Sequence, residues 1–171
     1  MIDTKMKNAI NKQINHELAA AFNYLAMAAW LESRNYPGFA SWMYLQRQEE
    51  HAHAQRLINF LLDRGGNLEL AAVQKPSTQY NSPLEAFQSG LEMEQLNTKT
   101  IDELYELARQ LNDYATESHL KWFIDEQVEE EKNASDAVAQ LKLTGDFGPG
   151  LLMMDREMAT RMPAPAIEAG A

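Results

Sequence analysis

Residues 46–57 read Gln46-Arg47-Gln48-Glu49-Glu50-His51-Ala52-His53-Ala54-Gln55-Arg56-Leu57, a run with no Gly, no Pro and no β-branched side chain. Such a composition loses little entropy in a helix. At alternating steps of three and four, Gln46, Glu50, His53 and Leu57 share one face, which continues outward to Phe39, Met43 and Phe60. A carboxylate and an imidazole therefore interrupt a stripe that is otherwise apolar and inward-facing.

The same interruption recurs on three other stretches. One stripe runs Ile10, Ile14, Glu17, Ala21, Tyr24, Ala28, Leu31; another runs Leu84, Phe87, Leu91, Glu94, Thr98, Ile101, Tyr105, Ala108. The last runs Thr116, Leu120, Phe123, Gln127, Glu130, Ala134, Ala137, Leu141. Turn-forming residues fall between the stripes, at Asn35 to Gly38, Gly65 to Pro83, Asn112-Asp113 and Thr144 to Gly150. The pattern predicts an all-α chain with helices over about 4–34, 37–64, 83–111 and 114–143, and a short fifth helix over about 149–160. The first and last joints are short enough for antiparallel hairpins, whereas the middle connection of about 18 residues can retrace a helix of roughly 42 Å. The prediction is one domain over 1–160, a four-helix bundle with one long crossover, followed by a disordered tail over 161–171.

Glu17, Glu50, Glu94 and Glu130 lie 13, 13, 11 and 16 residues into their helices, near mid-height whichever way each helix runs. One unpaired buried carboxylate costs several kcal/mol, and four that converge repel one another as well. No Lys or Arg lies on any of the four stripes, and two divalent cations would balance the charge. His53, one turn after Glu50, supplies an imidazole that suits a first-row transition metal better than Mg²⁺ or Ca²⁺. For any single acid a solvent-facing position is the competing reading. Four acids and a histidine at one level, on four separately phased stripes, argue against it.

Composition narrows the chemistry further. The chain has 171 residues and no cysteine, so disulfides, zinc fingers and Cys-ligated iron are excluded and any metal must be held by oxygen and imidazole. A net charge of −10, from 25 acidic and 15 basic side chains, argues against nucleic acid and anionic membranes as partners. With no apolar run near ~20 residues, the expectation is a soluble, cytoplasmic protein.

On these residues the chain resembles the ferritin family, and within it the bacterial non-haem ferritins. The resemblance implies a ferritin-like bundle with a first metal site from Glu17, Glu50 and His53. It implies a second from Glu94 and Glu130, with Glu50 bridging and Gln127 close by, and a third iron site from Glu49, Glu126 and Glu129 with Glu130 shared. It also implies a ferroxidase storing iron: two Fe(II) are oxidised by O₂ or peroxide, and the ferric product is deposited in a hollow homo-oligomeric shell of 24 subunits. Tyr24 then hydrogen-bonds a ligand carboxylate and is an electron donor, with Trp122 similar in kind; simple core packing is the other reading for both. Glu49, Glu126 and Glu129 sit about 100° from the stripe, so a solvated face is their alternative.

Departures from neighbouring branches are informative. Helix four carries Gln127-x-x-Glu130 where bacterioferritins have Glu-x-x-His, and His51 stands where they place a haem-binding Met, so no haem is expected. Rubrerythrins need cysteines; mini-ferritins typically lack a comparable fifth helix. Of the two acids that line threefold channels in animal ferritins, the matching positions hold Glu117 and Leu120. His16, His51 and His119 lie off the stripes and read as surface histidines. The functional alternatives are a di-iron oxidase or peroxidase without storage, and a structural bundle or DNA-protecting coat; the charge counts against the last.

Overall fold

The computed structural model describes residues 2–163 and contains five helices: α1 Thr4–Ser33, α2 Pro37–Asp63, α3 Pro83–Gln110, α4 Tyr114–Thr144 and α5 Gly148–Met158. Of the expected tail over 161–171, the part from 164 onward lies outside the described residues. Among the described residues no helix is long and apolar enough to cross a membrane.

The helix ends follow local chemistry. Asp3, Ser82 and Asp113 cap α1, α3 and α4 by accepting hydrogen bonds from the backbone N–H of Lys5, Glu85 and Thr116 at 2.7, 3.2 and 3.2 Å. Pro83, which has no N–H to lose, occupies the first turn of α3. The first three helices terminate alike, with a left-handed residue just beyond the cap: Asn35 (φ 62°), Gly65 (φ 73°) and Asn112 (φ 52°). In each case the next N–H reaches back to the last turn, as Tyr36 N does to Leu31 O at 3.1 Å and Asp113 N to Ala108 O at 2.9 Å.

The α1–α2 and α3–α4 hairpins assemble with α1 beside α3. Residues 64–82 return along α1, held by two asparagines acting as side-chain rungs. Asn11 Nδ2 donates to Asn67 O while Asn11 Oδ1 accepts from Glu69 N; one turn later Asn15 Nδ2 donates to Glu69 O and Asn15 Oδ1 accepts from Ala71 N. A helix advances about 6 Å in four residues and an extended strand about 6.6 Å in two, so the two repeats stay in step.

The core is two apolar clusters. One, near the α1–α2 turn, holds Met27, Leu31, Phe39, Met43, Phe87 and Leu141; the other, toward the opposite end, holds Met6, Ile10, Ile14, Leu57, Leu61, Ile101, Leu120 and Phe123. Truncating one of these to Ala costs about 2–5 kcal/mol.

On α1 and α4 every predicted stripe residue is buried, and on α2 all but the half-buried Phe60. On α3 one seam is displaced. Phe87, Glu94, Ile101 and Ala108 point inward as expected, but Leu84, Leu91, Thr98 and Tyr105 are half-buried, and their inward places are taken by Pro83, Gly90, Asn97 and Leu104. Gly90 is selected over Leu91 because the Tyr24 ring packs on it; a Cβ there would lie 3.5 Å from Tyr24 Cε1.

α5 sits across the start of α2, where Asp155 Oδ1 accepts a hydrogen bond from Phe39 N at 2.8 Å. A carboxylate at a helix N-terminus is favoured by the partial positive charge there. The approach requires Gly38, because a Cβ would overlap the Asp155 carbonyl. Met154 and Asp155 are buried, Leu151 and Met158 half-buried, and Leu152 and Met153 exposed.

Candidate metal centre

Between the two apolar clusters lies a polar layer fed by all four long helices. α1 contributes Gln13, Glu17 and Tyr24; α2 contributes Gln46, Glu50 and His53; α3 contributes Glu94 and Asn97; α4 contributes Gln127 and Glu130. None is more than 3% exposed. Three helices use the same i, i+3 device to place two side chains on one face: Glu50/His53, Glu94/Asn97 and Gln127/Glu130.

Glu17 is fully partnered, since Gln13 Nε2 donates to Oε1 at 2.8 Å and Asn97 Nδ2 donates to Oε2 at 3.1 Å. Asn97 also ties Gln13 and Gln127 into the layer, accepting from the first at 2.7 Å and donating to the second at 3.3 Å. Gln127 Nε2 donates to Glu94 O and Thr98 Oγ1, each at 3.3 Å, so its amide links α4 to α3. Glu130 Oε2 accepts from Gln46 Nε2 at 2.7 Å, and Glu94 Oε1 accepts from the Tyr24 hydroxyl.

Toward α2 the partners run out. Both oxygens of Glu50, Oε2 of Glu94 and Nδ1 of His53 are buried without a hydrogen bond. His53 Nδ1 lies 3.5 Å from Glu50 Oε2. One ligand atom from each of Glu17, Glu50 and His53 falls within 4.8 Å of the others, and the same holds for His53, Glu126 and Glu130.

Burial sets the protonation of this cluster. Burial first, then the charges of Glu94 and Glu17, push the Glu50 carboxyl well above its usual range. Burial raises Glu94 to about 7 against the lowering effect of the Tyr24 hydroxyl, and burial with the Glu94 charge raises Glu130 to about 8. Burial lowers His53, keeping the imidazole neutral and able to ligate. The Tyr24 phenol is raised by burial and by Glu94, so it remains a donor. Oxygen and neutral imidazole donors, several lacking any partner, are a set that a first-row divalent cation completes.

The remaining predicted residues lie around this cluster. Glu126 is half-buried beside His53 and Glu130, Glu129 is exposed, and Glu49 is ion-paired to Arg161 at 2.8 Å. Trp122 turns its ring edge-on to His53, with centroids 5.5 Å apart, and carries Arg56 over its face at 4.3 Å. His51 is exposed and His16 half-buried, but His119 is not a surface histidine. Its ring stacks on Phe60 at 4.0 Å, and burial takes its pKa down to about 4. Leu120 is fully buried and so lines no channel, while Glu117 accepts a hydrogen bond from the Tyr105 hydroxyl at 3.0 Å.

Gln13, Asn97 and Arg161 belong to the layer or its edge and were not read from the sequence as such. Gln13 stands four residues before Glu17, and Glu94-x-x-Asn97 repeats the spacing of Glu50-x-x-His53, so both left a detectable signal. Arg161 left none, because its contacts reach more than a hundred residues back along the chain.

Comparison with known proteins agrees with this architecture. Residues 7–144 match the ferritin-like domain model. A bacterial non-heme ferritin of Staphylococcus aureus is 41% identical over 161 residues, covering 94% of this chain and 97% of the relative, and one from Staphylococcus haemolyticus is 38% identical over the same length. Among solved structures, an open-pore ferritin from the archaeon Archaeoglobus fulgidus has a TM-score of 0.93 and 43% identity, covering 95% of this chain and 100% of its own. A closed form of the A. fulgidus ferritin made by site-directed mutagenesis has a TM-score of 0.94 and 43% identity, covering 96% of this chain and 100% of its own. The metal-ready polar layer, the single long crossover and these relatives together establish that the chain belongs to the ferritin family and resembles its bacterial non-haem branch.

Proposed function

We propose that the protein stores iron by oxidising Fe(II) at the polar layer and collecting the ferric product inside a shell built from 24 copies of itself in the cytoplasm. The observation that carries this reading is Glu50, a buried carboxylate that accepts no hydrogen bond on either oxygen, with a ligand atom within 4.8 Å of Glu17 and His53 and the charges of Glu94 and Glu130 near enough to raise its pKa. Two cations bridged by Glu50 would satisfy both oxygens and balance the four carboxylates.

The chain's own contribution is charge, position and proton balance. Glu17, fixed by Gln13 and Asn97, and neutral His53 with Glu50 would receive one Fe(II); Glu94 and Glu130 with Glu50 would receive the other. Glu94 and Glu130, raised to about 7 and about 8, hold protons near neutrality and release them as the iron substrate arrives; burial pushes Glu50 in the same direction. Two Fe(II) leaving as Fe(III) supply two electrons, which with two protons reduce O₂ to H₂O₂, or H₂O₂ to two waters. Tyr24, donating to Glu94, is placed to steady that ligand and to pass an electron. Glu49, Glu126 and Glu129 form an acidic edge beyond Glu130, suited to a third Fe(II).

Self-association is supported by apolar side chains left outside. Phe22, Leu70, Val73 and Leu96 are exposed, as are Leu152 and Met153 on α5. Anaerobic Fe(II) titration followed by O₂ is the test. The expected result is two tightly bound Fe(II) per subunit, rapid oxidation, and a sedimentation mass of 24 subunits. A stable monomer at neutral pH, or no tight Fe(II), would overturn the proposal.

A further inference from the structure

Past the end of α5 the chain turns back and delivers one guanidinium to the rim of the polar layer. Arg161 Nη2 donates to Glu49 Oε2 at 2.8 Å, Nη1 donates to Gln46 Oε1, and the guanidinium carbon stands 4.9 Å over the Trp42 ring. The arginine side chain is 20% exposed and that of Glu49 11%, so the pair is largely withdrawn from water. Two constraints follow. With its carbonyl oxygen engaged by Arg161, the Gln46 amide must present its NH₂ to the other side, where Nε2 meets Glu130 Oε2 at 2.7 Å. And Glu49 already has a cation.

We infer that Arg161 is a positioning residue for the metal centre: it orients Gln46 toward Glu130, occupies the cation position at Glu49, and must release Glu49 before a third metal ion binds there. The inference rests on the proposed metal reading of the layer and adds a regulator to it. The Glu130 carboxylate is thereby pinned by one oxygen, leaving the other for metal, while the acidic edge is withheld. Because Arg161 follows directly on α5, whose Asp155 is bound to the start of α2, the seating of the C-terminal helix is coupled to how many ions the centre accepts. The planar fork meets Gln46 and Glu49 with separate nitrogens; a lysine keeps the charge at Glu49 but lacks that fixed fork.

Calorimetric titration of the assembled, metal-free protein with Zn(II), a redox-inert probe, tests this. Wild type is expected to take two ions tightly and a third weakly. R161Q should tighten the third by roughly tenfold, the scale of one largely buried charge-assisted pair, and weaken one of the first two several-fold as Gln46 loses its hold. R161K, which keeps the charge, should stay near wild type for the third ion. E49Q should abolish the third ion, and adding R161Q to it should not restore that ion. A purely structural role would lower the melting temperature without moving the two affinities in opposite directions. R161Q leaving the third ion unchanged or weaker, or no third ion in any variant, overturns the inference. Failure of wild type to bind the first two overturns the metal reading itself.

Discussion

The two sides of the polar layer are built on opposite terms. On the α1–α3 side each oxygen of Glu17 has an amide donor, and Gln13, Asn97 and Gln127 close the network among themselves. By contrast Glu50 and His53 Nδ1 on α2, with one oxygen of Glu94 on α3, make no hydrogen bond. A satisfied buried network holds its members rigidly, and an unsatisfied one stores a demand. The amide half therefore fixes the ligands in space, and the other half leaves a place for the ions.

The largest effect is expected from Glu50→Ala. Removing the carboxylate set between the two sites should lower the initial rate of Fe(II) oxidation by at least about a hundredfold, because a ligand shared by both ions is lost. Helix content by circular dichroism should be unchanged. Wild-type initial rates at two Fe(II) per subunit would remove Glu50 from the centre.

A second effect is read by pH. In the metal-free protein Glu94 and Glu130 hold protons up to about 7 and 8, whereas in the unfolded chain they release them near 4.5. Their stabilisation of the metal-free fold is complete below about 4.5 and is lost as pH rises through 7 and 8. Bound metal reverses this, so the gap in melting temperature between Fe(II)-loaded and metal-free protein, measured anaerobically, should widen from pH 5.5 to 8.5. A gap independent of pH would mean that the acids are not the binding groups.

The amide side makes the converse prediction. Asn97→Ala strips a donor from Glu17 and Gln127 and an acceptor from Gln13, and should cost about 1–3 kcal/mol in urea unfolding of the metal-free protein. Glu50→Gln, which removes a buried carboxyl crowded by the charges of Glu94 and Glu17, should cost less there or add stability. Equal losses for both would erase the distinction between the two sides. The smallest expected effect belongs to Glu129→Gln. It should leave the first two Fe(II) bound and abolish a third, with a gain of ~0.2–0.5 kcal/mol from relieved repulsion within 125–131. A third Fe(II) retained by the variant would return Glu129 to a solvated face.

The bundle was legible because the turn residues and the stripes agree. Asn35, Gly65 and Asn112 stop helices whose inward faces differ sharply from their outward ones. The acids were legible for the opposite reason, as breaks in those faces. On α3 the contrast fails: Asn97 and Thr98 are both polar, and Gly90 yields in hydropathy to Leu91, so periodicity favours the wrong neighbour by one residue. What decides is the partner across the layer, Glu17 for Asn97 and the Tyr24 ring for Gly90. Contacts of that kind, like Arg161 on Glu49 or His119 on Phe60, depend on helices being placed first.

The asparagine rungs along α1 divide the crossover into a measured part and a free part. From Asn67 to Ala71 the backbone is counted off two residues per helical turn, so one inserted residue would turn every later strap side chain to the opposite face. Beyond Ala71 no such rung is present among the described residues until Ser82 caps α3, and a longer loop costs only slowly more entropy. The stretch 74–79, between the exposed Val73 and Tyr80, whose ring packs on Trp30 at 5.4 Å, is therefore where evolution or an engineer can splice in a foreign peptide, and 67–71 is where neither can.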